Sequence, residues 1–206
     1  HLPRLIATLL VWFLGIMMII PFIWMISTSF KGMNEVFTFP IEWIPSNPTL
    51  KGYQALFSGK IPFFTYFVNS VKVSVIALIG TFFSCTMAGY AYAKIKFFGR
   101  DKIFMAKLIT TMLPGMVTVL PTYIIYSKLG LLNSHASLWL GYFFGGTFGV
   151  FLMRQAFLSI PDSLVESARL DGASNFKIYW SIALPNVKGS VSTLLFMYFL
   201  WSWNDY

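Results

Sequence analysis

Long apolar runs without a charged residue divide the chain. Four of them, residues 5–30, 73–93, 108–127 and 129–153, contain 26, 21, 20 and 25 residues. A helix that crosses a bilayer needs about 20 mostly apolar residues. A fifth run, residues 189–204, contains 16 residues and predicts a span that is cut short. The pattern therefore predicts an all-α, polytopic bundle of membrane helices with five spans present.

Flanking charges and helix breakers set the bounds of the predicted elements within one transmembrane domain, residues 1–206. These are span 1 at about 5–27, an outer loop at about 31–66, span 2 at about 70–93, span 3 at about 108–127, span 4 at about 136–157, a polar loop at about 160–185 and a truncated span 5 at about 188–206. A signal peptide is the alternative for the first run. Its length and the lack of a small-x-small cleavage site favour an uncleaved span.

Proline and glycine interrupt spans 3 and 4. Span 3 contains Pro114 and Pro121, and prolines in a membrane helix require neighbours that satisfy the freed carbonyl groups. In span 4, Gly141, Gly145 and Gly149 recur every four residues, which places them along one face of a helix. We therefore expect kinked helices that pack closely.

Composition supports a bilayer as the solvent. The chain is 57% hydrophobic and 11% charged, with a mean hydropathy of +0.70, whereas soluble domains carry about 25% charged residues. The net charge of +8 would suggest nucleic acid in a soluble protein. Here, if the N-terminus is inside, the inner segments hold 10 of the 15 basic residues. This bias predicts a cytoplasmic N-terminus and a cytoplasmic 160–185 loop, with lipid and no nucleic acid as a partner.

The outer loop is rich in Pro, Trp and Phe. We interpret it as a structured cap on the outer membrane face, with a partner-binding surface as the alternative.

The polar loop begins with signals for a short helix. Pro161 and Asp162 are suited to a helix start, and Ser163 and Glu166 have the spacing of a capping box. Asp-Gly at 171–172 then predicts a helix end, because glycine adopts the left-handed conformation that a helix C-terminus requires.

A second helix follows at once. Ser174 or Asn175 can cap it. Its apolar stripe consists of Phe176, Tyr179, Trp180 and Ala183. The stripe either lies in a groove of a partner or packs on its own bundle, and periodicity does not separate these alternatives. Pro185 is expected to interrupt this helix before span 5.

The loop resembles the EAA motif of inner-membrane permeases from binding-protein-dependent ABC importers. That motif reads Glu-Ala-Ala, three residues, Gly, nine residues, Ile, one residue and Leu-Pro, and only Ser167 departs from it here. The stretches "AGYAYAKIKFFGRD", "MLPGMVTVLPTYIIYSKLGLLNS", "FLMRQAFLSIP" and "WSWND" resemble the carbohydrate branch, the maltose-transporter type. The resemblance covers nearly the whole chain and implies a sixth span beyond Tyr206.

The resemblance implies that the loop docks on an ATPase subunit and couples ATP hydrolysis to transport. The implied coupling residues are Glu166, Ser167, Ala168, Asp171, Gly172, Ala173, Phe176, Ile182, Leu184 and Pro185. It also implies a second permease subunit, two ATP-binding-cassette subunits and an extracytoplasmic solute-binding protein. ATP and Mg²⁺ would bind the ATPase subunits, so that this chain needs no cofactor, metal or catalytic residue and is not itself an enzyme.

The implied function is transport of a sugar or oligosaccharide across a bacterial or archaeal cytoplasmic membrane. A non-sugar solute is the nearest alternative. A secondary transporter is disfavoured, since that class places ionisable residues within the membrane and the four complete runs contain no Asp, Glu, Lys or Arg. A membrane-embedded enzyme is disfavoured because no His-Glu-x-x-His, acidic cluster or thiol pair is present.

The end of span 5 contains the candidate substrate path, formed by Trp201, Trp203, Asn204 and Asp205. Polar groups match sugar hydroxyls, and aromatic faces stack on the apolar side of a sugar ring. An interfacial aromatic belt with a polar end is the alternative.

Overall fold

A computed structural model describes residues 2–59 and 62–205 of the chain. These residues form helices and turns and no strand, so the all-α prediction is confirmed for the described part of the chain. The described residues up to Phe67 and those from Val68 onward form two compact units. Lys60 and Ile61 of the predicted outer loop, and Tyr206 at the predicted end of span 5, lie outside the described residues.

The helices follow one another closely along the chain. They are α1 (Leu2–Ser29), α2 (Lys51–Phe57), α3 (Phe63–Lys94), α4 (Arg100–Ile109), a 3₁₀ turn (Thr110–Met112), α5 (Gly115–Lys128), α6 (Ala136–Trp139), a 3₁₀ turn (Leu140–Phe144), α7 (Thr147–Leu158), α8 (Asp162–Leu170), α9 (Asn175–Ile178), a π-helical turn (Tyr179–Ala183), α10 (Leu184–Asn186) and α11 (Lys188–Trp203).

Three helical segments of the described chain are long and apolar enough to cross a membrane: Arg4–Ser29, Phe63–Lys94 and Ala136–Leu158. A fourth is present if the bent pair α4 and α5 is one span. Helix α11 has 16 residues and is shorter than a full span.

The segment after α1 folds onto the end of that helix. The rings of Trp24 and Trp43 meet edge to face with centroids 5.3 Å apart. The Tyr53 hydroxyl donates a hydrogen bond to Ser29 Oγ at 2.8 Å. Parts of the predicted outer loop therefore pack against the end of α1, and its position as a cap on the outer membrane face stays a prediction.

The predicted span 3 is broken in its first third. Leu113 is extended, with ψ of 121°, and the helical segments on its two sides meet at an angle of 103°. Proline disfavours the helical conformation of the residue before it, and Pro114 therefore ends the first segment. Pro121 lies within α5.

The predicted span 4 is also interrupted. Gly145 has φ of +63° and separates the 3₁₀ turn from α7. The expectation that Gly141, Gly145 and Gly149 lie along one helix face was therefore wrong, because the helix does not continue through Gly145. The positive φ of this glycine ends the helix, as it does in a C-terminal cap.

Close approach of α3, α7 and α11 forms the centre of the second unit. A Cβ on Gly149 would lie 2.6 Å from Cys85 Sγ and 2.9 Å from both Leu194 Cδ1 and the Tyr198 hydroxyl. The Gly149 N–H, left free by the break before α7, donates to Tyr198 at 3.2 Å. This buried crossing holds together α7 and α11, the two helices between which the polar loop lies.

Candidate functional site

The first loop helix, α8, begins without the predicted capping box. Its N-cap is Pro161, and no side chain caps the first turn. Ser163 is the second residue of the helix, so its hydroxyl cannot serve as the N-cap acceptor for the Glu166 N–H. The pre-set φ of Pro161, −57°, starts the helix instead, and its carbonyl accepts from Leu164 N–H at 3.2 Å.

A buried lysine attaches α8 to the end of α3. Lys94 Nζ donates to Ile160 O at 2.6 Å and contacts Asp162 Oδ1 at 2.5 Å. Hydrogen bonding from Lys94, together with its positive charge, lowers the pKa of Asp162 below the usual aspartate value. From the sequence, Lys94 is only a charge at the end of a span. No local signal identifies this contact, because Lys94 and Asp162 are 68 positions apart.

Arg169 connects both helices of the loop to the end of α3. Its Nη2 donates to the Lys94 carbonyl oxygen and to Asn175 Oδ1, each at 3.3 Å. The backbone end of α3, the last turn of α8 and the first turn of α9 are thereby connected by one guanidinium group.

The end of α8 is a Schellman motif. Ala173 N–H donates to Ala168 O and Gly172 N–H donates to Arg169 O, both at 3.0 Å. Gly172 has φ of +79°, which confirms the left-handed conformation predicted for it. No other heavy atom would lie within 4 Å of a Cβ at this position, so the backbone conformation alone demands glycine.

Ser174 is the cap of the second loop helix. Its hydroxyl accepts from Lys177 N–H at 3.3 Å, so that Ser174 rather than Asn175 fulfils the predicted role. The helix then continues through a π-helical turn and includes Pro185 in α10. Pro185 therefore does not interrupt the helix where expected. The helical run ends two residues later at Val187, with φ of −112° and ψ of 20°.

The apolar stripe of this second helix divides between two surroundings. Tyr179 and Ala183 are buried, and the Tyr179 hydroxyl lies 2.7 Å from Thr86 Oγ1 of α3. Phe176 remains 62% exposed and its ring stacks on that of Trp180, which is also exposed. One half of the stripe therefore packs on the bundle, and the other half is exposed.

The predicted coupling residues lie in α8, at the turn around Gly172 and in the helical run that begins with α9; we call α8, this turn and α9 the joint. Ala168 is buried within it, while Glu166, Ser167, Asp171 and Gly172 are exposed. The remaining members are Ala173, Ile182 and Leu184, which are half-buried, and Phe176 and Pro185, which are exposed. A cleft of about 830 Å³ opens beside them, and its lining includes Lys96, Glu166, Arg169, Gly172 and Asn175.

The four candidate path residues do not share one site. Trp201 packs between the rings of Tyr198 and Phe148, with centroid distances of 4.9 and 5.4 Å. Asn204 donates to Leu200 O of its own helix at 2.6 Å. Trp203 and Asp205 both line a cleft of about 120 Å³.

The lining of that smaller cleft includes polar residues that the sequence analysis did not select. They are Asn69, Ser70, His135 and Ser202. These positions come from three separated parts of the chain, and no motif connects them in the sequence.

The fold defines an all-helical, polytopic membrane protein with an ordered two-helix loop between α7 and α11. The sequence model of the family described as "Binding-protein-dependent transport system inner membrane component" matches residues 1–206. The chain belongs to this family of importer permeases, and the resemblance inferred from the EAA motif is confirmed.

Curated relatives within the family are named as permease proteins of transport systems. The chain is 32% identical over 189 residues to the galactooligosaccharides transport system permease protein GanQ of Bacillus subtilis (strain 168), covering 90% of this chain and 66% of the relative. It is 31% identical over 178 residues to the sn-glycerol-3-phosphate transport system permease protein UgpE of Salmonella typhi, covering 84% of this chain and 63% of the relative. The chain thus spans about two thirds of the length of these curated relatives.

A solved structure has the same fold. It is the crystal structure of a bacterial ABC transporter involved in the import of the acidic polysaccharide alginate. The TM-score is 0.85 at 25% sequence identity, and the match covers 98% of this chain and 72% of the other. The likeness shows that this chain shares the fold of a chain of that transporter.

Proposed function

We propose that this chain is a permease subunit of an ABC importer for a sugar or oligosaccharide. The observation that supports this most strongly is the ordered joint at Gly172, which presents exposed apolar and charged side chains beside a cleft. In this proposal the joint docks on an ATPase subunit, and closure of two such subunits is transmitted to the spans through α8 and α9. ATP and Mg²⁺ bind the ATPase subunits.

The attachment of α8 and α9 suits such a transmission. The Lys94 and Arg169 contacts connect the joint to α3, while Tyr179 connects it to the interior of the bundle. A displacement of the joint would therefore move the end of α3 with it. The N-terminus and the joint lie on the cytoplasmic side, and a second permease subunit and an extracytoplasmic solute-binding protein complete the importer.

Phe176 is the exposed residue from which we expect the largest single docking contribution. Removal of one aromatic anchor at the centre of an interface costs about 2 kcal/mol or more, which is about thirtyfold in affinity. Phe176→Ser should therefore lower the amount of ATPase that co-purifies with the membrane-extracted importer about thirtyfold. Phe176→Tyr keeps the ring and should retain the ATPase. Equal ATPase recovery from all three proteins would contradict docking at this joint.

Asn204 tests the proposed sugar path. In Asn204→Leu the amide is lost, and the loss of one hydrogen bond to a sugar should reduce uptake at low substrate concentration by up to about tenfold. Thr193→Val is the control, because it removes a comparable hydrogen bond, from Thr193 Oγ1 to Gly189 O at 3.1 Å, at the other end of α11. If both variants transport like the unmodified importer at equal membrane abundance, Asn204 does not line the path.

The transported solute can be identified directly by uptake measurements. Uptake of labelled galactooligosaccharides, of uronate oligosaccharides and of a glycerol phosphate by the assembled importer separates the sugar proposal from the non-sugar alternative. Transport of the phosphate ester alone would overturn the sugar assignment while leaving the permease assignment intact.

A further inference from the structure

The connection between α3 and α4 leaves a large apolar side chain uncovered. Phe97 packs on Tyr92, with ring centroids 5.9 Å apart, so that the next side chain points away from the bundle. Phe98 is accordingly fully exposed, at 101% of its reference area. Ile103, in the first turn of α4, is 51% exposed.

Cationic side chains surround these two apolar groups. Residues 96–102 contain three cations and one carboxylate, which gives a net charge of +2. The carboxylate of Asp101 already forms ion pairs with Arg100, at 3.2 Å, and with Arg154, at 3.5 Å. The ammonium groups of Lys96 and Lys102 make no ion pair or hydrogen bond with any described residue. We call residues 96–103 the cationic loop.

The length of α3 gives the depth of the cationic loop. The charge-free part of this helix, residues 73–93, has 21 residues, which is about 31 Å at 1.5 Å per residue. The hydrocarbon core of a bilayer is about 30 Å thick. The cationic loop therefore begins at the level of the lipid headgroups. It lies on the same side as Lys94, the residue that holds α8.

We propose that the cationic loop binds the anionic phospholipid headgroups of the leaflet that faces the ATPase, with Phe98 and Ile103 inserted at the headgroup–acyl boundary. This inference rests on the membrane topology of the proposed function. Exposed aromatic and aliphatic side chains beside unpaired lysines are typical of segments that lie in an anionic membrane interface. A surface cleft of about 530 Å³, lined by residues 96–102, gives a headgroup room between the cations.

A protein partner is the competing occupant. An acidic partner segment would match the positive charge. It would not explain why the large apolar side chain of Phe98 is exposed at the depth of the lipid headgroups. The bilayer accounts for the charge, the exposed ring and the depth together.

Spin labels report the position of Phe98 directly. The chain has one cysteine, Cys85, which is fully buried and is not expected to react in the folded protein. Phe98→Cys and Leu170→Cys provide matched labelling sites, since Leu170 is also highly exposed, at 89%, but lies at the coupling joint. Both labelled proteins are placed in nanodiscs of phosphatidylcholine alone or of equal parts phosphatidylcholine and phosphatidylglycerol.

We expect the ratio of oxygen to nickel-chelate collisions at position 98 to exceed that at position 170 several-fold, and to rise further with phosphatidylglycerol. A lysine close to an anionic surface contributes about a fivefold gain in binding. Lys96→Gln combined with Lys102→Gln should therefore weaken phosphatidylglycerol retention, measured by native mass spectrometry, about thirtyfold. Free inorganic phosphate should not displace the lipid.

Three results would overturn the proposal. They are a water-exposed label at position 98 in both lipid compositions, unchanged lipid retention in the double variant, and shielding of position 98 only after the ATPase is added. Shielding of position 170 by the ATPase, together with ATP-driven uptake, tests the proposed function separately. A failure of the lipid contact is thereby distinguishable from a failure of the permease assignment.

Discussion

Replacing Gly172 with valine is expected to leave a folded, membrane-inserted protein that has lost its ATPase. Gly172 has φ of +79°, and a β-branched residue is strained there by about 1–2 kcal/mol or more. No atom would block the side chain, so the strain acts on the backbone that joins α8 to α9. The Schellman hydrogen bonds to Arg169 O and Ala168 O would be distorted, and the exposed face that begins at Phe176 would turn away.

The measurement is ATPase co-purification and ATP-driven uptake, each divided by membrane abundance. We expect both to fall about thirtyfold or more, the loss that follows displacement of a central interface residue. Gly172→Asn is the control, because asparagine tolerates the left-handed region, and it should restore most of the coupling. Normal assembly and transport by Gly172→Val would remove the joint from the coupling mechanism.

Replacing Gly89 with valine is expected to have the largest effect on stability. A Cβ on Gly89 would lie 2.6 Å from Met153 Cβ and 3.0 Å from the backbone nitrogen of Arg154. Neither contact can be relieved by rotating the end of a side chain, so α3 and α7 must separate. Overpacking of this kind costs about 1–3 kcal/mol and occasionally more.

Loss of this packing can be measured as exposure of the buried Cys85 thiol. A thiol-reactive dye gains fluorescence only when unfolding exposes the cysteine, and the midpoint of the thermal transition is read from its signal. A cost of about 3 kcal/mol corresponds to a decrease of about 6–12 °C for a chain of this size. Gly189→Val is the matched control, since nothing lies within 4 Å of a Cβ there, and its midpoint should change little. Equal midpoints for the two variants would show that α3 and α7 do not pack as described.

Local signals predicted the joint correctly where one residue controls the backbone. Gly172 ends α8 and Ser174 starts α9 because the required φ and the required hydroxyl are properties of those residues themselves. The capping box at Ser163 and Glu166 failed although its spacing was correct. The rigid φ of Pro161 started the helix two residues earlier, which a spacing rule does not register.

Contacts between segments that lie far apart in the chain could not be predicted from local sequence patterns. The link from Lys94 to Ile160 and Asp162 joins two elements by a buried ammonium group, although the sequence indicated only a positive charge at a span end. The glycines of span 4 show the same limit. Their spacing indicated one helix face, but Gly145 breaks the helix, and of the three glycines Gly149 is the one whose nearest neighbours come from both α3 and α11.

A photo-cross-linking amino acid at position 176 of the native polypeptide tests the central claim most directly. The exposed ring of Phe176 is at the joint that we propose docks on the ATPase, so illumination of the transporting complex should yield an adduct of this chain with the ATPase subunit. Position 196, an exposed phenylalanine on α11, is the control and should yield no such adduct. A complex that transports normally but forms no ATPase adduct from position 176 would contradict the account.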